Sequence, residues 1–592
     1  MNVLGISCFY HDSAAALVRD GVLIAAAEEE RFSRIKHDFG YPEQAIAFCL
    51  AEAGLTAQDL DHVVYYEKPF LKFERILTSC LQTFPRSYEV FREGMIAWLT
   101  DKLWVQNLIS DRLGVPAKRV IAIDHHAAHA ASAFYPSPFD EAAILTVDGV
   151  GEWATATFGS GTGSRLSLSH EIRFPHSLGL LYSAFTAFLG FEVNEGEYKV
   201  MGMAPYGKPR YLDDVWKLIT LGDDGSFRLN MEYFSFQYSA RHTYNHRFIK
   251  RFGPPRPPGI HFFTSTSGYP SYFGPKPADY EALARTNQHY ADIAASIQRV
   301  TEEVLLHMAR ALHRRSGMKK LCMAGGVALN SVANGRILRE TPFEELYIQP
   351  AAGDGGGAVG AAFYAYHQLL GKPRGFIMKH GAWGKEYSQG ETLDWLRAQN
   401  IAHEIVDSED VLLDRVVDSL VRGEVVGWHQ GRFEWGPRAL GCRSILADPR
   451  RADMKDIVNT KIKFREPYRP FAPSVVAEAA ERYFDLPDAA RHYPARFMLL
   501  VAPVRPEHHA TLPATTHVDG SGRLQTVFRE ESPLYHGLIE RFGRATGVPV
   551  VMNTSFNLKG EPIVTTPANA HSTFTRSEMD LLVVGNVLVR KS

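Results

Sequence analysis

At 592 residues, with 45% hydrophobic and 22% charged side chains, the chain exceeds one ordinary core and reads as a globular protein of two or more domains. Its 64 Lys and Arg against 66 Asp and Glu leave a formal net charge of −2, so no global field gathers nucleic acid or anionic membrane. Any phosphate ligand must meet local cations. Five scattered cysteines without a CxxC pair fit a reducing cytoplasm. No long apolar run or basic leader points to membrane insertion or export.

"NVLGISCFYHDSAAALVRDGVLIAAAEEE" opens as a three-strand meander with a polar tip at Tyr10 to Ser13 and a turn at Arg19-Asp20-Gly21. Proline near its start and Gly54 past its end bound a helix over 42–53. After Asp140, "AAILTVDGVGEWATATFGSGTGS" repeats the meander with an Asp148-Gly149 tip, which marks an internal duplication. Strands followed by helices, twice over, predict an α/β chain whose two lobes bring both tips to one cleft.

From Leu221 to Asp279 the chain turns rich in aromatics, glycine and proline and loses its period. It reads as an insertion, either a packed surface excursion or a wall that recognises an acceptor. Ile293, Ile297, Val300, Val304, Met308 and Leu312 then mark one face of a long helix, followed by a strand at "KKLCMAGG". A second boundary falls near "LLGKPRGFIMKHGAWGKEYS", giving domains over 1–370 and 371–592.

In "IDHHAAHAASAF" His125 and His129 share one helix face, where two imidazoles reach one ion, and His126 points elsewhere. The HExxH zinc motif is excluded, because His126 stands where it needs glutamate. Asp148 at the second tip and Asp354 in "QPAAGDGGGAVGAA" complete a mixed nitrogen and oxygen shell suited to iron, manganese or zinc. Gly355, Gly357 and Gly360 match GxGxxG, but without an acidic residue about 20 positions on. They fit better a backbone that a phosphate or ribose approaches. "AGGVALN" is a similar loop, with Asn330 able to bond a ribose or base.

His11, on the first tip, has an ordinary pKa suited to taking a proton from an alcohol near neutral pH. Lys36 can orient an acceptor. Near the C-terminus, Arg432, Arg438, Arg443, Lys463, Arg465 and Arg469 are interleaved with glycine, proline and aromatics, a spacing that suits a walled anion pocket. Arg523, Asn553, Thr554 and Ser555 add donors.

Taken together, "YHDSAAAL", "EEERFSRIKHD", "DHHAAHAASAF", "VDGVGE", "EGEYKVMGMAPYG", "GGVALNSVANG", "GDGGGAVGAA", "GRFEWGPRALGCRSILADPR", "KFREPYRPFAPSV", "THVDGSGRLQTV" and "NTSFNLKGEPIV" resemble the O-carbamoyltransferase family of nodulation, cephamycin and tobramycin type over nearly the whole chain. The resemblance implies an N-terminal actin-like domain (ASKHA fold, Kae1-like) of duplicated lobes and a C-terminal YrdC-like α/β domain. It implies ATP and carbamoyl phosphate as co-substrates, joined as carbamoyl-adenylate at Arg432, Arg438, Lys463, Arg469, Arg523, Asn553 and Ser555. Transfer is then expected in the N-terminal domain, with a divalent or trivalent ion, iron first, on His125, His129, Asp148 and Asp354. Asp148, Gly149, Gly179, Gly325, Gly326, Asn330 and Asp354 would bind the adenylate, His11 would act as base and Lys36 would touch the acceptor.

The implied partner is a small hydroxylated acceptor, with no nucleic acid, no membrane and a homodimer as a candidate assembly. Competing readings are a tRNA threonylcarbamoylation enzyme, which needs an extended basic face, and an actin-like sugar or acid kinase, which releases ADP. A fourth treats the ion as a structural clamp.

Overall fold

The computed structural model describes residues 1–100, 102–463, 466–469 and 471–591. The opening meander is a set of strands covered on both faces: five of six residues are buried in β1 (Asn2–Ser7) and in β2 (Ala14–Arg19). Its small residues admit helices closely on either side. β2 runs antiparallel to β1, with Asn2 opposite Arg19 and Ser7 opposite Ala14, and β3 (Val22–Glu28) runs antiparallel to β2. α1 (Glu43–Ala53) ends as expected, with Gly54 in the left-handed conformation, its N–H on the carbonyls of the last turn.

β4 (His62–Tyr65) pairs parallel to β1. Three helices follow it, α2 (Pro69–Thr83), α3 (Tyr88–Thr100) and α4 (Val105–Leu113), and β5 (Val120–Ala122) then pairs parallel to β4. α5 (His125–Phe134) leaves this sheet and leads into the second lobe.

That lobe repeats the plan. β6 (Glu141–Val147), β7 (Ala154–Thr162) and β8 (Arg165–Arg173) form an antiparallel meander, followed by α6 (Leu178–Phe188). α7 (Tyr280–Ser316) buries the expected face, with Ile293, Ile297, Val300, Val304 and Met308 fully covered. β9 (Lys320–Ala324) pairs parallel to β6, α8 (Ser331–Glu340) follows, and β10 (Glu345–Tyr347) pairs parallel to β9. The sheets read β3-β2-β1-β4-β5 and β8-β7-β6-β9-β10, one strand order twice, with the same parallel and antiparallel pairings. This duplication is the actin-like arrangement.

α9 (Gly357–Phe363) joins the halves. A Cβ on Gly360 would run into the Ala128 carbonyl of α5, and one on Gly5 into the Ala358 carbonyl of α9. The glycine spacing after Asp354 thus serves close helix and strand contact. Gly360→Ala is expected to lower stability by about 1–3 kcal/mol, the usual cost of overpacking, visible as a lower melting temperature.

Within the aromatic insertion, Phe234, Phe248 and Phe252 are buried. The Phe248 and Phe252 rings stand 4.9 and 5.1 Å from Phe185 of α6. These rings are core.

By its contacts the chain divides into two compact units: Met1–Glu29 with Phe39–Gly268 and Pro277–Met378, and Glu30–Asp38 with Tyr269–Lys276 and the chain from Lys379 on. The main division falls between Met378 and Lys379, and Lys36 belongs to the second unit.

The second unit is built on one eight-stranded mixed sheet. Its strands are β11 (Glu404–Ile405), β12 (Val426–His429), β13 (Arg443–Ala447), β14 (Ala472–Val476), β15 (Gln525–Val527), β16 (Val550–Ser555), β17 (Leu581–Val584) and β18 (Val587–Arg590). They lie in the order β11-β18-β17-β12-β13-β16-β14-β15. Alternate residues feed two cores: Leu446, Val551, Leu581 and Val583 pack on one face, and Ile445, Met552, Leu582 and Val584 on the other. Among the described residues no helix is long and apolar enough to cross a membrane.

Candidate metal centre

The start of α5 sets the geometry. Asp124 at its N-cap makes no capping bond; instead the Glu152 carboxylate, from the second tip, accepts from the His125 N–H at 3.0 Å and the Lys68 N–H at 2.7 Å. A carboxylate there complements the helix dipole and fixes the first imidazole. His125 Nε2 then lies 3.2 Å from Asp148 Oδ2 and 3.5 Å from Asp354 Oδ1. One turn on, His129 Nε2 lies 3.7 Å from Asp148 Oδ2 and 3.4 Å from Asp354 Oδ1.

The Asp148 carboxylate and the Asp354 backbone are held as firmly. Asp148 Oδ1 accepts from the Gly326 N–H at 2.8 Å, and the Ser7 hydroxyl donates to the Asp354 carbonyl at 2.9 Å. Donor atoms of all four residues lie within 4.8 Å of one another, and all four residues are buried.

Burial opposes the charge of Asp148, but His125 and His129 outweigh it and hold the carboxyl well below its ordinary range. Burial likewise opposes ionisation of Asp354, which His11 and His125 overcome. His129 is raised to about 9: burial disfavours its charge, yet the two carboxylates prevail. His129 Nε2 and both Asp354 oxygens have no hydrogen-bond partner among the described residues. Two imidazoles and two carboxylates, all buried, with His129 Nε2 and both Asp354 oxygens left unsatisfied, fit a borderline metal ion. Among the described residues neither Nδ1 atom has the acceptor that usually orients a metal-bound histidine.

His126 is engaged elsewhere. Its Nε2–H donates to the Ala154 carbonyl at 2.9 Å, so its Nδ1 accepts from the Thr146 hydroxyl at 2.6 Å. Burial first, then the two neighbouring imidazoles, lower it to about 3. His126→Ala is expected to cost about 1–3 kcal/mol, the penalty of orphaning buried partners, and to leave the metal stoichiometry unchanged. A thermal melt and elemental analysis check the two halves.

His11 faces this cluster, with Nε2 3.5 Å from Asp354 Oδ2 and Nδ1 3.2 Å from Asp12 Oδ2. Burial opposes its charge, but Asp354 and then Asp12 raise it to about 9, above the neutral value expected of a base.

The glycines assigned to the adenylate line the second tip. A Cβ on Gly179 would press on the Asp148 carbonyl, and the Ser177 hydroxyl, at the N-cap of α6, donates to the Gly149 carbonyl at 2.6 Å. Gly325, at φ +96°, has no room for a Cβ beside the Val147 carbonyl. Asn330 caps α8 by accepting from the Ala333 N–H at 3.2 Å, and its amide pairs with Gln298 at 3.0 and 3.1 Å.

In the second unit, Lys463 is buried and donates to the Ser555 carbonyl at 2.5 Å and to the carbonyl and Oδ1 of Asn557 at 2.9 Å each. Asn553 Nδ2 donates to the Ala439 carbonyl, Ser474 Oγ and Gln525 Oε1 at 3.1–3.2 Å, which ties the loops carrying Arg438 and Arg523 to β16. Arg438 and Arg523 are half-buried. Arg432 donates to the Gly384 carbonyl at 2.7 Å, and Arg469 stands 3.8 Å from Glu466. Lys36 lies 4.0 Å from Glu30.

Arg443 departs from the pocket reading. Fully buried, it donates to the carbonyls of Thr565, Gln430, Cys442 and Gly431, so its donors hold backbone instead of a ligand. Arg465 lies outside the described residues. Two groups escaped the sequence reading: Glu152, which orients α5, and Glu434, whose Oε1 accepts from the N–H groups of Leu440, Cys442 and Arg443 at 2.7–3.1 Å. Each carboxylate caps backbone amides far along the chain or around a loop, and no spacing announces that.

Fold and centre together define an actin-like α/β protein with a metal-competent cluster on its twin lobes, followed by a separate α/β unit. The Carbamoyltransferase N-terminus profile matches residues 2–363 and the Carbamoyltransferase C-terminus profile residues 417–591. The chain belongs to the carbamoyltransferase family. It is 45% identical to an uncharacterized protein of Synechocystis sp. over 100% of this chain and 97% of that one. It is 38% identical to the nodulation protein NolNO of Sinorhizobium fredii over 98% of this chain and 79% of that one. With the 3'-hydroxymethylcephem-O-carbamoyltransferase of Streptomyces clavuligerus it shares 33% identity over 46% of this chain and 49% of that one.

Proposed function

We propose that the chain is an ATP-dependent O-carbamoyltransferase that works in two half-reactions, one per unit. In the C-terminal unit, carbamoyl phosphate loses its phosphate to water, and the carbamate oxygen attacks the α-phosphorus of ATP. Pyrophosphate leaves and carbamoyl-adenylate remains. Lys463, Arg438, Arg469 and Arg523 supply the cations that such a polyanion needs, with Arg432, Asn553 and Ser555 beside them.

In the N-terminal unit, the hydroxyl oxygen of a small acceptor attacks the carbamoyl carbon, His11 takes its proton and AMP departs, leaving a carbamate ester. His125, His129, Asp148 and Asp354 would hold an iron, manganese or zinc ion. Such an ion supplies Lewis-acid charge toward phosphate and carbonyl oxygens. A cation there would offset the Asp354 charge and so weaken the bias, shared with Asp12, that keeps His11 protonated, which would favour the imidazole as base. Gly149, Gly179, Gly325 and Gly326 leave the backbone open for an adenylate, and Asn330 orients the loop through its cap. The carrying observation is the buried four-residue cluster, with the Asp354 oxygens and His129 Nε2 unsatisfied and His11 against it.

Product analysis tests the reading. Carbamoyl phosphate and ATP should yield AMP and pyrophosphate; ADP as the nucleotide product would favour a kinase, and tight tRNA binding at moderate salt a tRNA-modifying role. His11→Asn is expected to leave pyrophosphate release intact and to slow transfer by about 10²–10⁴-fold, the worth of a general base. Equal loss of both half-reactions would remove His11 from that role.

A further inference from the structure

Beside the first tip lies a cavity of about 130 Å³ whose lining includes Tyr10, Glu67, Lys72, Arg75, Trp98 and Lys102. None of these residues belongs to the cluster described above. Most come from the end of β4 and the helices that follow it. Tyr10 connects the two places, since its ring centroid lies 4.7 Å from that of His11.

The charges in this cavity do not cancel. Glu67 is taken: Lys72 Nζ stands 2.5 Å from its Oε2, and the Tyr65 hydroxyl donates to its Oε1 at 3.1 Å. Lys72 also sits over the Tyr10 ring at 4.3 Å. Lys102 makes one hydrogen bond, to the Phe9 carbonyl at 3.3 Å, and lies 5.8 Å from the Trp98 centroid.

Arg75 is the outlier. The residue is only 7% exposed, its Nε is buried without a partner among the described residues, and its guanidinium makes no hydrogen bond or ion pair to a described carboxylate or carbonyl; the Phe174 ring lies 5.1 Å away, and Glu67 and Glu152 act on it only at longer range. A buried guanidinium without an oxygen partner is costly for the fold and is a poor structural device. Its planar fork matches a carboxylate bidentately, and aromatic walls suit a planar carrier of that group.

We propose that this cavity is an acceptor subsite for a carboxylate on a planar or aromatic carrier, with Arg75 as its anchor and Lys102 as the second cation. It places such an acceptor against Tyr10, beside the base, and assigns acceptor selection to the helices after β4 instead of the 221–279 insertion. The acceptor role rests on the reading of His11 above; the anion site itself does not.

Isothermal titration of the full-length chain with benzoate, and with benzamide as its uncharged isostere, tests the site. The wild type should bind benzoate at least about tenfold more tightly than benzamide, since the amide forfeits the charged bidentate pair. Arg75→Met should lose at least about tenfold of the benzoate affinity while its melting temperature stays level or rises, because an apolar stem replaces an unpaired buried charge. Lys102→Met, on a more exposed position, should weaken benzoate by a smaller factor.

Equal binding of benzoate and benzamide, unchanged affinity in both variants, or unfolding of Arg75→Met with unchanged affinity in Lys102→Met would overturn the proposal. Pyrophosphate release by the same wild-type preparation reports on the catalytic reading separately. Its absence with benzoate selectivity intact would sink the transferase mechanism and leave the anion site standing.

Discussion

Asp354→Asn is expected to empty the metal centre and to slow carbamoyl transfer by on the order of 10³-fold or more, in line with the loss of a main electrostatic group, while pyrophosphate release from carbamoyl phosphate and ATP continues. The reason lies in how many groups converge on this carboxylate. His11, His125 and His129 all stand within 3.5 Å of it, and neither of its oxygens has a hydrogen-bond partner among the described residues. The amide keeps the shape and loses the charge. It would therefore remove both a candidate ligand and the foremost charge acting on His11. Elemental analysis of the purified variant and separate assays of the two half-reactions provide the readout. Full metal content would exclude Asp354 from the ligand set. Loss of melting temperature in step with both activities would instead favour the structural clamp.

The complementary variant is Lys463→Ala, for which carbamoyl-adenylate formation should fall by on the order of 10²–10³-fold, with the metal content of the N-terminal unit unchanged. Transfer from separately supplied carbamoyl-adenylate should persist. The ammonium is anchored by Ser555 and Asn557 at the end of β16, so alanine also leaves those oxygens without their donor. Some stability is therefore lost, and Lys463→Met, which keeps the stem, separates that effect from the loss of charge. Normal pyrophosphate release from both variants would refute the assignment.

Much of the N-terminal unit was legible in the sequence because its signals are local. The two meanders carry their turns at Arg19-Asp20-Gly21 and Asp148-Gly149, α1 carries its terminal glycine, and α7 shows a clean helical period. The histidine spacing in α5 separated His125 and His129 from His126 for the same reason. What escaped is what depends on partners far along the chain. β5 and β10 span three residues each, too short to announce themselves, so the repeat looked like two meanders instead of two five-stranded sheets.

The same holds for individual side chains. Arg443 reads as a ligand cation among glycines and is instead the clasp of four carbonyls. Asn330 also caps a helix, which its place in the sequence did not announce. The glycines after Asp354 read as a nucleotide motif, whereas Gly360 lets α9 touch α5. The cavity around Arg75 draws its lining from separate segments, and no window of sequence contains it.

The twin lobes carry a history in their tips. Residues 8–13 and 148–153 link the first two strands of each sheet, and so hold equivalent stations in the repeated plan. One station now carries the His11 imidazole and the other the Asp148 carboxylate. With the same groups on both hairpins the repeated scaffold would present two like sides to the cleft; unlike tips give it two distinct ones.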